Sequence, residues 1–203
     1  MTELTMTREP QTDTRPARRA MIDSQLRTSG VNEEYVLARM LAVPREDFLP
    51  ADKAALAYID RSVSLGAGGH LASPLFYGKL LLEAAPMPED RVLVVEGGTG
   101  YLAELLRPVV AEVATLDAAD AAKGKGKGEY SLIVIDGAIE QLPEALAARL
   151  AEGGRIVSGL LLRQVTRLAS GRKVGGKVAL LPVEDLGIPV LHAFDAPKGW
   201  TFA

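Results

Sequence analysis

The residues best placed to do chemistry sit around one glycine turn. Val92, Leu93, Val94 and Val95 form an unbroken aliphatic run, Glu96, Gly97, Gly98, Thr99 and Gly100 follow, and a helical pattern begins at Tyr101. A turn of this kind at the carboxyl end of a buried strand aims the N–H groups of a helix start at a ligand. That is how α/β folds hold nucleotide-like cofactors. The dinucleotide spacing G-x-G-x-x-G is not met, so the turn offers a place for a cofactor without identifying it. Two more acids stand at strand ends, Asp117 after Glu112–Leu116 and Asp136 after Tyr130–Ile135. Each can line a ligand crevice. Asp117 reads equally as a helix cap, and Asp136 as a cap of the loop leading to a helix at Pro143.

These residues need strands and helices to carry them. The sequence predicts a polar tail over 1–16, then one domain over 17–203, with a helical cover at 17–85 and a parallel-sheet core at 86–203. In the cover, Met21, Ile22 and Leu26 mark a helix ended by Gly30. Val36, Leu37, Met40 and Leu41 mark a second before Pro44, and a short helix follows near Ala54–Tyr58. The stretch from Leu65 to Pro74 reads as a flexible loop carrying His70, and Pro74 opens a helix through Ala85 with Ser73 as its N-cap. In the core, Lys123–Gly128 is too glycine-rich for a helix and reads as a solvated linker with at most a short helical start. Pro143–Glu152 is expected as a helix turned by Gly153 and Gly154. Arg155–Val157 then begins a strand. Gln164–Leu168 and Val178–Leu181 suggest a hairpin about Ser170 and Gly171, and a last strand lies around Val190–Phe194.

Composition narrows the classes. The chain has 203 residues, no cysteine, two histidines and a net charge of −3. Disulfides, thiolate metal sites and a cysteine nucleophile are excluded, and no metal site is expected. An acidic chain with 5% aromatic residues argues against nucleic acid as a partner. No signal-like or membrane-length apolar run is seen, so a cytoplasmic protein without a membrane partner is expected.

Several segments together resemble the protein-L-isoaspartate O-methyltransferase family, within the class I S-adenosylmethionine-dependent methyltransferases. They are MIDSQLRTSGV, VLARMLAVPREDFLP, AYIDRSVSLGAGGHLASP, the glycine turn, and IVIDGAIEQLPEALAARLAEGGRIV, in the family's order and spacing. The resemblance, to a divergent bacterial branch, implies a Rossmann-like three-layer α/β/α fold with an N-terminal helical extension and a C-terminal antiparallel hairpin. It also implies S-adenosylmethionine as cofactor and an isoaspartyl-containing peptide or protein as methyl acceptor. A carboxylate is already nucleophilic, so such transfer depends on alignment and exclusion of water more than on a strong base.

The departures from the family pattern fall on that site. Where the family has G-Q-T-I-S-Q-P, this chain has Gly68 to Pro74, with Ala72 at the serine. Ser73 replaces that hydroxyl only if the loop shifts by one residue, and otherwise caps the next helix. His70 either donates a hydrogen bond to the acceptor carboxylate or is a surface loop residue. The acidic-x-G-x-G-x-G pattern becomes Val94 to Gly100, with Val94 at the acid and Glu96 at the first glycine. Glu96 either meets the methionine ammonium from a new angle or repels the neighbouring carboxylate. Its other reading is an acid near a helix N-terminus, worth about 0.3–1 kcal/mol. Gly97, Gly98, Thr99, Gly100, Asp117 and Asp136 complete the implied cofactor set. The helix, strand and acidic loop that the family places after the Asp117 position are replaced by the lysine–glycine tract, which implies one deleted strand–helix unit. Methyl transfer is therefore expected to be weakened or lost, the alternative being a non-catalytic protein that keeps the fold to bind a peptide, protein or small ligand. Glu112–Leu116 becomes a sheet edge open to a homo-oligomer.

Overall fold

The computed structural model describes residues 13–196. The expected tail therefore lies outside the described residues apart from its last four positions. The sheet is built on two aliphatic runs. Strand β3 (Arg91–Glu96) lies between β4 (Glu112–Asp117) and β5 (Tyr130–Ile139), parallel to both, with Val92 to Val95 in register with Leu132 to Ile135. Both faces of β3 are buried, so unbroken valine and leucine rather than alternation is the pattern the position requires. β6 (Leu150–Leu162) continues the parallel set, and β7 (Val165–Val174) turns back antiparallel. The short β8 (Lys177–Val178) and β9 (Leu181–Asp185) both pair with β7, giving the order β4-β3-β5-β6-β7 with β8 and β9 beyond.

Helices cover both faces. Helix α3 (Pro74–Ala84) starts as its sequence predicts, with Pro74 in the first turn and the Ser73 hydroxyl oxygen accepting from the Phe76 N–H at 3.2 Å. It buries Phe76, Tyr77, Leu80, Leu81 and Ala84. At about 1.5–3 kcal/mol for each large apolar side chain, that face is a main anchor of the fold. It packs with α4 (Tyr101–Leu106) in one core cluster, joined by α1 (Arg15–Met21), the π-helical turn Ile22–Leu26, and α2 (Glu34–Ala42). On the opposite face a smaller cluster joins α5 (Ala118–Ala122) and α6 (Glu144–Ala148) to Leu93, Ile133 and Ile156. Gly30 closes the first helical stretch in a left-handed conformation, φ 83°.

Four expectations are corrected. The Leu65–Pro74 stretch is a β-hairpin, β1 (Val63–Gly66) with β2 (Gly69–Leu71), held by its ladder and by the His70 N–H donating to Gly97 O at 2.9 Å. The helix after Pro143 ends at Ala148, and Gly153 and Gly154 lie inside β6, where the register against β5 shifts. The hairpin of Gln164–Leu168 with Val178–Leu181 is present as β7 with β8 and β9, but its turn is at Gly175 and Gly176, φ 58° and 76°, and Ser170 and Gly171 are strand residues; β7 also forms a hairpin with β6 about Arg163 and Gln164. Val190 makes a single bridge to Ala138, and His192–Phe194 is a 3-10 turn, so no strand closes the described chain.

Candidate functional site

Four segments meet at the carboxyl ends of β3 and β5. β3 brings Glu96 and the glycine turn. β5 brings Asp136, which is not the end of its strand: β5 runs to Ile139 through an irregularity after Val134. Pairing with β3 stops at Ile135, so Asp136 is the first residue free of that neighbour. α3 brings Tyr77, and the β1–β2 hairpin brings His70.

Asp136 is fully buried. One carboxylate oxygen accepts from the Tyr77 hydroxyl at 3.1 Å, and the other, Oδ1, makes no hydrogen bond among the described residues. Burial pushes its carboxyl up to about 7, against the opposing pulls of the Tyr77 hydroxyl, the Gly97 N–H and the Arg45 charge. Capping of the loop toward Pro143 is thus not its role. Glu96 is partly buried, its Oε2 accepts from the Gly100 N–H at 3.0 Å, and its Oε1 is buried without a partner. Burial first, and the Asp136 charge second, push it up to about 7. The site therefore holds two carboxyl groups that resist ionising together.

His70 is buried, which corrects the surface-loop reading. Its Nε2 lies 3.0 Å from the Asp136 carbonyl oxygen, and since a carbonyl only accepts, Nε2 carries the proton. The same nitrogen is 4.0 Å from Asp136 Oδ1, beyond hydrogen-bond range. Burial lowers its affinity for a second proton, so the ring is neutral at pH 7. Its packing is tight. A Cβ on Gly97 would overlap the Asp136 carbonyl and the His70 ring, and one on Gly98 would come within 2.9 Å of Gly69 Cα. These glycines permit close approach of the hairpin to the turn.

The remaining expected residues stand apart. The Asp117 Oδ1 caps α5, accepting from Ala119 N–H at 2.7 Å, and the residue is exposed. Ser73 is nearly buried as the cap of α3. Thr99 accepts from the Tyr101 N–H at 3.3 Å, and Gly100 starts α4 in a left-handed conformation.

Sequence reasoning missed the residue that organises the site from beneath. Arg45 is fully buried, donates to Ala57 O at 2.6 Å and Ala72 O at 2.7 Å, and lies 5.5 and 5.1 Å from the ring centres of Tyr77 and Tyr101. Ala72 N–H donates in turn to the Tyr77 hydroxyl. A chain thus runs from Arg45 through Ala72 and Tyr77 to Asp136. The local signal was slight: one arginine between Pro44 and a phenylalanine, with nothing nearby to say that it turns inward.

The three-layer α/β/α sheet, with a glycine turn after β3, Asp117 at the end of β4 and Asp136 where β5 leaves its pairing with β3, is a Rossmann-like fold of the methyltransferase type. The profile of the protein-L-isoaspartate(D-aspartate) O-methyltransferase family matches residues 17–120. The protein-L-isoaspartate O-methyltransferase of Koribacter versatilis is 30% identical over 193 aligned residues, covering 83% of this chain and 87% of the relative. That of Methanoculleus marisnigri is 29% identical over 212, covering 92% and 94%. A Plasmodium falciparum protein-L-isoaspartate O-methyltransferase solved with S-adenosyl-L-homocysteine superposes with a TM-score of 0.68 at 18% identity, over 89% of this chain and 99% of that one. The chain belongs to the protein-L-isoaspartate(D-aspartate) O-methyltransferase family.

Proposed function

We propose that this protein is a family member in which methyl transfer from S-adenosylmethionine to isoaspartyl carboxylates is weak or lost. The observation that carries the reading is Glu96. It stands at the family's first turn glycine, and its own carboxylate takes the Gly100 N–H, a group that a ligand at a glycine turn would use. An amino-acid end brings both an ammonium and a carboxylate, and here the carboxylate would meet Glu96 with Asp136 close behind. The residues present do not fit that group well. Val94 supplies no acid on the strand, and Asp117 already serves as a helix cap. Ala72 offers no hydroxyl to an acceptor, and Ser73 spends its oxygen on Phe76 N–H.

What these residues do in place of catalysis is hold the site shut. Tyr77 fixes one oxygen of Asp136, neutral His70 ties β2 to the Asp136 carbonyl, and Glu96 closes the turn. The test is transfer of a labelled methyl group to an isoaspartyl peptide by the unmodified chain, beside Glu96→Gly and the double change with Ala72→Ser. The reading predicts little turnover, partly restored by the double change. Robust turnover by the unmodified chain, abolished in Asp117→Ala, would contradict it.

A further inference from the structure

Two cavities of about 380 and 410 Å³ lie side by side away from the glycine turn and share Arg61 and Ser62. The first is lined by Lys53, Leu56, Ile59 and Val63, and the second by Asp60, Ser73, Thr166, Gly187 and Ile188. Arg61 and Asp60 are exposed, and neither makes an ion pair among the described residues. Two cations against one anion make the trench locally positive in a chain of net charge −3. Its floor is apolar, with Leu56 42% exposed.

One wall has a free backbone donor. Leu186 N–H donates to Thr166 O and Ile188 N–H to Thr166 Oγ1, both at 3.1 Å. Between these two donors the Gly187 N–H donates to nothing among the described residues. Gly187 is exposed, and a Cβ built on it meets no atom within 4 Å, so the space beside it is open.

We propose that this double cavity is a docking trench for an extended, carboxylate-rich peptide. Arg61 at the saddle and Lys53 in the first lobe pair with acidic side chains, and the Gly187 N–H takes a main-chain carbonyl. A peptide fits better than a small diacid because the cations are spread over two joined lobes, each already of small-ligand size. Nucleic acid fits poorly, because two cations beside Asp60 make a weak phosphate track and the walls carry no aromatic side chain for stacking. The proposal goes beyond the methyl-transfer reading and stands whether or not the glycine turn takes a cofactor.

The experiment uses the full chain with no cofactor and a short fluorescein-labelled peptide alternating glutamate with apolar residues, beside the same peptide with glutamine for glutamate. The acidic peptide should bind at least about tenfold more tightly, weaken as salt is raised, and shift the amide resonances of Arg61 and Gly187. Arg61→Glu, at an exposed position, should lower affinity about tenfold with unchanged thermal melting, and Lys53→Glu, which also gives up the bond its ammonium donates to Ser64 O, should lower affinity about as much. Equal binding of the two peptides, indifference to both variants, competition by free glutamate at the peptide's own concentration, or no binding at millimolar peptide would each overturn the proposal.

Discussion

Asp136 and Glu96 are the residues whose environment departs most from that of an ordinary surface acid. Both carboxyls are raised to about 7, chiefly by burial. The folded protein therefore holds protons on them that the unfolded chain has already released above about pH 4–5. Their contribution is fully present below the unfolded values and is lost as pH rises through about 7. Shifts of this size correspond to roughly 3–4 kcal/mol per group. Unfolding free energy measured by denaturant titration should fall between pH 5 and pH 8. In Asp136→Asn, which keeps an acceptor for Tyr77, much of that slope should vanish and stability at pH 8 should rise. A flat profile in the unmodified chain, or an unchanged slope in the variant, would show that the pair is ionised in the native state. None of this was legible in the sequence, where Asp136 is one acid after an aliphatic run. Its partners come from 59 and 66 residues away, Tyr77 and His70.

Elements were legible where their signal was local. The aliphatic runs of β3 and β5, the Ser73–Pro74 start of α3, the Gly30 stop and the short helix after Asp117 each carry their own chemistry, and the structure has all of them. The turn between β7 and β8 was placed too early, at Ser170 and Gly171, whereas it uses Gly175 and Gly176 in left-handed conformations, and the β6–β7 hairpin about Arg163 and Gln164 carries no glycine or asparagine cue. Gly153 misled in the opposite sense, as an apparent helix stop that is an irregularity inside β6. The β1–β2 hairpin looked like a flexible loop because its order comes from docking on the glycine turn. Gly97→Ala should break that docking, since the new Cβ would overlap the Asp136 carbonyl and His70 ring. A loss of at least about 2 kcal/mol and faster amide exchange over residues 63–71 are expected. Unchanged exchange there would mean the hairpin holds itself. At the far side, among the described residues, β4 pairs only with β3, leaving one edge of its backbone open. Concentration-dependent dimers in sedimentation, removed by Thr115→Lys, are the expected consequence. A monomer at every concentration would show that the edge is protected.

At the scale of the whole molecule, the chain has the family's fold, and the proposed loss of methyl transfer concerns only a few residues around the glycine turn. The fold depends on buried apolar faces, which many sequences satisfy, whereas cofactor binding depends on a few polar atoms whose loss nothing else replaces. The resemblance visible in PREDFLP, AYID and the glycine turn therefore foretold the architecture, while Val94, Glu96 and Ala72 are the residues on which the proposed loss of chemistry rests. Calorimetric titration of the unmodified chain with S-adenosylhomocysteine tests this most directly, because it isolates the cofactor loop from any question about the acceptor. With Glu96 closing the turn and Val94 in place of an acid, the dissociation constant should be weaker than about 100 μM and should tighten in Glu96→Gly. Low-micromolar binding by the unmodified chain, unchanged or lost in Glu96→Gly, would contradict the account.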